Sequence, residues 1–146
     1  MALLVACLCS PVASALDEQD TGTFLAVDEQ AEPLGKVFRV SIEDGRWKFE
    51  DRQPDGAWLD VSCHGGCDHL PARPEDLVSW FGAPPPDTIR PECIRNTEFA
   101  FCRFHTAQAE HDGYVLVVRI NSEWLPITLV RLPEGAEPKP EPLEAT

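Results

Sequence analysis

The stretch KVFRVSIEDGRWKFED, residues 36–51, constrains this 146-residue chain more than any other. Two alternating apolar and polar runs flank Asp44-Gly45. An Asp-Gly pair between such runs marks a two-residue hairpin loop, because a type I′ turn needs positive φ at both central positions. A two-residue loop also fixes the register. Glu43 then faces Arg46, Ile42 faces Trp47, Ser41 faces Lys48, Val40 faces Phe49 and Arg39 faces Glu50. Apolar residues meet on one face and opposite charges meet on the other. A chain with this hairpin is committed to an antiparallel sheet.

The neighbouring stretches extend it. TFLAVDE in the acidic residues 16–35 reads as a first strand. QPDG places Pro54 and Gly56 where a type I turn prefers them. AWLDVSC is then a third meander strand, with Leu59, Val61 and Cys63 on one face; if that face looks inward, Cys63 comes near Trp47. RPEDLVSWFG reads as a short helix: Pro74 lies near its start, Glu75 and Asp76 in its first turn, and Gly82 stops it. TIRPECIRNTEF is expected to hold one more helical turn. FAFCRFHT alternates like a strand, and YVLVVRINSEWLPITLVRL reads as two more, with Pro126 at an edge or a bulge. The expected fold is α+β: a mostly antiparallel sheet of six to seven strands, opening with a meander, with one or two short helices inserted mid-chain.

Residues 1–15 read as a signal peptide. MALLVACLCSPVASA has no charged side chain, and its apolar run is too short for a bilayer span, which needs about 20 residues. Ala13 and Ala15 give the A-x-A pattern that signal peptidase accepts. A competing feature is LVAC, which resembles a bacterial lipobox and makes Cys7 the alternative lipidation site. The acidic segment 16–35 then leads into a single domain over 36–132. Residues 133–146 form a Pro/Glu-rich tail expected to be disordered.

Cleavage after Ala15 leaves four cysteines. In an exported, oxidised protein they are expected to form two disulfides, and three pairings are possible. The preferred one joins Cys63 to Cys67 and Cys93 to Cys102, because Gly65-Gly66 permits the tight turn that the first pair needs. The alternative is a metal or redox site built from Cys63, His64, Cys67 and His69, whose ligand types suit zinc. Haem attachment is excluded by the spacing, since Asp68 follows Cys67 where a histidine is required. No cofactor is expected on the preferred reading.

The net charge is −13, but six acids lie between Asp17 and Glu32, and four follow Leu132 against Lys139 alone. The stretch from Lys36 to Leu132 holds the remaining 15 acids and 11 bases, a net of −4. No basic stripe with interleaved aromatics is present, which argues against a nucleic-acid partner. The sequence contains no nucleophile elbow, metalloprotease helix, phosphate loop or dinucleotide fingerprint, so no catalytic residue is assigned. Glu50, read against Arg39 on the outer face, is expected to be a solvated ion pair. The export signal, LVAC, WKFEDRQPDGAWLDVSC and the acidic balance together resemble periplasmic immunity proteins that neutralise antibacterial secretion-system effectors, and inhibitors of lysozyme-type enzymes. That resemblance implies a non-enzymatic periplasmic protein, soluble or lipid-anchored, that binds a cationic toxin or envelope-degrading enzyme. The expected contact surface is the rim of the meander: Asp51, Asp55, Trp58 and Asp60. Trp58 supplies a rigid aromatic anchor there.

Overall fold

A computed structural model describes residues 15–62 and 68–136. The strands are β1 (Gly22–Val27), β2 (Pro33–Glu43), β3 (Arg46–Arg52), β4 (Trp58–Asp60), β5 (Leu70–Pro71), β6 (Ile89–Arg95), β7 (Phe99–Thr106), β8 (Gly113–Ile120) and β9 (Glu123–Arg131). One helix, α1 (Pro74–Phe81), lies between β5 and β6, and a 3-10 turn (Glu18–Asp20) precedes β1. All nine strands form one sheet in the order β4-β3-β2-β1-β9-β8-β7-β6-β5, with every neighbouring pair antiparallel.

The hairpin has the expected register, including Val40 opposite Phe49 and Arg39 opposite Glu50. Its loop has φ of 51° at Asp44 and 74° at Gly45, the left-handed pair that a two-residue loop requires. The described residues form nine strands, not six to seven. The two additions are β5 and β6, and β6 occupies IRPECIR, where a helical turn was expected. Pro91 is tolerated there because β5 pairs only with Ile94 and Arg95, leaving β7 as the neighbour of Pro91. Pro126 follows the same rule. β1 pairs with β9 only from Thr128 onward, so Pro126 has β8 alone beside it. The acidic segment also enters the sheet: β1 lies between β2 and β9, so the folded unit begins well before Lys36.

The sheet does not lie flat. β3 and β7 are five strand steps apart, about 24 Å in a flat sheet. Yet the rings of Phe49 and Phe99 stand 4.6 Å apart between centroids, and those of Phe49 and Phe101 5.6 Å. The sheet therefore rolls until its two halves face each other, as a strongly twisted many-stranded sheet must to bury its apolar face. Phe24, Val40, Phe49, Phe101, Leu116 and Leu129 fill the inside of the roll. The outside of β6 to β9 is covered by α1, with Trp80 and Leu77 over Ala100, Cys102 and Val117. α1 spans the expected residues and stops at Gly82, where φ is 77°.

The two edges of the sheet approach each other. The Asn96 side-chain amide, just after β6, donates to the Ser62 carbonyl just after β4, at 2.9 Å. Asn96 Oδ1 accepts from the backbone of Glu98 and Phe99. This contact joins the β4 side of the roll to the β6 side.

Candidate functional site

The β4 rim is built on the end of the meander. The turn from Gln53 to Gly56 closes with the Gly56 amide donating to the Gln53 carbonyl at 2.9 Å. It returns the chain so that Trp58 pairs with Arg52, Leu59 with Asp51 and Asp60 with Glu50. β4 has three residues and is an edge strand, so one side of its backbone pairs with no other strand among the described residues.

Trp58 stands on the outer face, as alternation from Leu59 requires. The Arg39 guanidinium lies 4.4 Å from its ring centroid, and that of Arg52 lies 5.8 Å away. Arg39 is in turn fixed by a 2.7 Å hydrogen bond from Nε to Glu50 Oε2. Lys48 adds a second cation 3.4 Å from Glu50 Oε1. Glu50 is only 6% exposed while the Arg39 side chain is 40% exposed, so the carboxylate is buried beneath a partner that stays partly solvated, and only the cation end of the pair matches the expected solvated one. The hydrogen bond from Arg39 holds the Glu50 carboxyl below the usual carboxylate range, against the opposing effect of burial, and the charges of Arg39 and Lys48 add to it. Trp58, Arg39 and Glu50 thus form a stack in which each member restricts the next. A tryptophan held this way loses little freedom when it binds.

The three aspartates of the rim have local duties. Asp51 Oδ2 lies 3.2 Å from Lys36 Nζ. Asp55 Oδ1 accepts from the Ala57 amide at 2.9 Å and shapes the turn. Asp60 Oδ1 accepts from the Ser62 amide at 2.9 Å and directs the chain out of β4. With Arg39 and Arg52 beside Trp58, the rim carries both signs of charge. Leu59 and Val61 lie on the face opposite Trp58, as alternation requires. Leu59 is 52% exposed and Val61 38%, because β4 is the sheet edge and, among the described residues, no strand lies beyond it. Ser62 is the residue that turns in: its Oγ accepts from the Phe49 amide at 2.7 Å.

Of the cysteines, Cys93 and Cys102 form a disulfide across directly opposed positions of β6 and β7. Cys63, His64 and Cys67 lie outside the described residues, as does Cys7, so the Cys63–Cys67 pairing and the alternative metal set are not placed. His69 is described. Its ring lies 5.4 Å from Phe49 and 5.5 Å from Phe99, with Nε2 3.4 Å from Asn96 Nδ2. The Asn96 oxygen is occupied by two backbone amides, so its nitrogen must face His69, and His69 Nε2 must accept. That assigns the neutral tautomer with its proton on Nδ1. Burial pushes the His69 pKa down, and the neighbouring Asp68 opposes this.

The most buried charge is one that sequence reasoning passed over. Asp20, inside the acidic run, is 1% exposed. Arg103 Nη1 donates to both its oxygens at 3.0 Å, the Tyr114 hydroxyl donates at 2.9 Å, and the Asp17 amide donates at 2.9 Å. Arg131 donates to the Tyr114 oxygen at 2.9 Å and to the Gln19 carbonyl at 2.7 Å. Burial raises the Tyr114 pKa to about 12, reinforced by Asp20. This network clamps the 3-10 turn to β7, β8 and β9. Beside it, Asp112 Oδ1 lies 2.7 Å from His105 Nδ1. Among the described residues, no group of three or more His, Cys, Asp or Glu side chains is arranged to hold a metal ion, and no helix is long and apolar enough to cross a membrane. Comparison of the chain with protein-family models, curated proteins and solved structures gives no match in any of the three.

Proposed function

We propose that this chain is an exported, non-enzymatic interaction protein of the periplasm, an immunity protein or inhibitor that binds a cationic toxin or envelope-degrading enzyme through its β4 rim. The observation that carries the reading is the rim itself. An exposed edge strand presents Leu59 and Val61 beside a tryptophan pinned by Arg39, which supplies apolar area, unpaired backbone and a rigid anchor within three or four residues. The Cys93–Cys102 disulfide suits an oxidising compartment and so supports export. With mixed charge at the rim, the acidic balance of the chain would act through long-range attraction, which raises association rates and is screened by salt. Site-specific photo-crosslinking tests the reading. A crosslinker at position 59 is expected to capture one envelope protein, and the capture is expected to be lost with Trp58→Ala. A crosslinker at Val78, on α1, is expected to capture none. Equal capture from positions 59 and 78, or capture unaffected by Trp58→Ala, would refute the assignment of this rim.

A further inference from the structure

On the outer face of β6 and β7 an apolar cleft of about 240 Å³ opens between the end of α1 and the sheet. Leu77, Phe81, Ile89, Phe104 and the Pro84-Pro85-Pro86 run line it, and no polar side chain contributes to the lining. The rings of Phe81 and Phe104 meet edge to face, 5.5 Å apart. No side chain of the cleft can accept from a buried N–H, so an occupant rich in ordinary amides would find few partners for its donors there. A proline-rich segment avoids that cost, since proline has no N–H, and extended proline segments pack well on aromatic and proline-lined grooves.

This chain contains such a segment close by. Residues 137–146, EPKPEPLEAT, alternate proline with other residues and carry one large apolar side chain, Leu143. The chain leaves β9 two strands away from β7, about 10 Å across the sheet. At Pro133 to Ala136 it makes a turn, with the Ala136 amide donating to the Pro133 carbonyl at 3.0 Å and Gly135 at φ 77°. Ten residues follow Ala136, enough to reach about 31 Å in the polyproline conformation. The strip of sheet surface on the way is apolar and open. Val130 is 46% exposed, and nothing lies within 4 Å of where a Gly113 side chain would begin. Gly113 pairs with Phe104, so the strip leads directly to the cleft.

We propose that the C-terminal segment of this chain docks in the Phe81–Phe104 cleft, with Pro140 and Leu143 as its anchors. The two lie three residues apart and so on one edge of a polyproline helix. The proposal stands apart from the β4 rim and does not depend on its function. In the full-length protein, a photoreactive benzophenone side chain installed at position 143 is expected to crosslink within one molecule to residues 77–89 or to β7. Crosslinks elsewhere, crosslinks between two copies, or none at all would overturn the proposal. A second measurement uses the labelled peptide EPKPEPLEAT in solution. The full-length Leu143→Asp variant is expected to bind it at least tenfold more tightly than the unaltered protein, whose own segment competes. Equal affinity for both proteins, or binding to neither, would also overturn it.

Discussion

Replacing Asp20 with Asn tests whether the acidic N-terminal run is part of the core. The change keeps the side-chain volume and removes only the charge and one acceptor. Asp20 accepts from Arg103, Tyr114 and Asp17 while 1% exposed. Removing one member of a buried ion pair costs about 3–5 kcal/mol, because the remaining charge is left in a poor environment. An Asn amide would also turn a donor toward Arg103. Asp112, 3.8 Å from Arg103 Nε, limits the loss and places the expected cost near the lower end, about 3 kcal/mol. For a domain of this size that corresponds to a fall in Tm of about 12 °C in a thermal melt followed by circular dichroism. A second readout is specific to the network. The chain has one tyrosine, so alkaline tyrosinate absorbance reports Tyr114 alone. Its pKa of about 12 is expected to fall in Asp20→Asn, since Asp20 contributes to the upward shift. Asp17→Ala, which removes an exposed cap, is expected to cost only about 1 kcal/mol. A melt unchanged by Asp20→Asn, together with an unmoved tyrosine titration, would refute the clamp.

Gly45→Val is expected to cost about 1 kcal/mol or more in chemical denaturation, because a β-branched residue resists the φ of 74° at that loop position. Reducing the Cys93–Cys102 disulfide, which closes a short loop, is expected to lower stability by about 2–3 kcal/mol, read as a Tm difference with and without reductant. The pH dependence has a fixed sign. The folded-state pKa of His69 lies below its ordinary 6.5, so the unfolded chain binds the extra proton first. Stability from His69 is complete above pH 6.5 and is lost as pH falls toward the folded-state value, and His69→Gln is expected to flatten that slope. Glu50 behaves likewise at lower pH: its depressed carboxyl contributes fully above pH 4.5 and the contribution is lost on further acidification.

The parts of the fold that could be read from sequence are those fixed by local rules. A two-residue loop leaves no freedom in register, so the Val40–Phe49 and Arg39–Glu50 pairs followed from residues 36–51 alone. Pro74 and Gly82 bound α1 for equally local reasons. β6 was misread because proline and cysteine in IRPECIR interrupt the alternation of a strand, and only the pairing pattern explains why Pro91 is accepted there. The buried role of Asp20 had no local signal. Its partner Arg103 is 83 residues away, and a count of charges treats a buried acid and a solvated one alike. The same holds for Glu50, whose partner was legible but whose burial depends on a hairpin face covered by Arg39 and Trp58. At the rim, alternation placed Trp58 correctly opposite Leu59, but could not show that β4 is an edge, which is why Leu59 and Val61 are exposed.

The central claim is that the β4 rim binds a protein partner with Trp58 as its anchor. Calorimetric titration of the partner captured from position 59 against the unaltered protein and Trp58→Ala tests it most directly. The account predicts at least a tenfold weaker Kd for Trp58→Ala, about 1.4 kcal/mol or more, with the hairpin and the Asp20 clamp intact by circular dichroism and tyrosine titration. Equal affinity for the two proteins would contradict it.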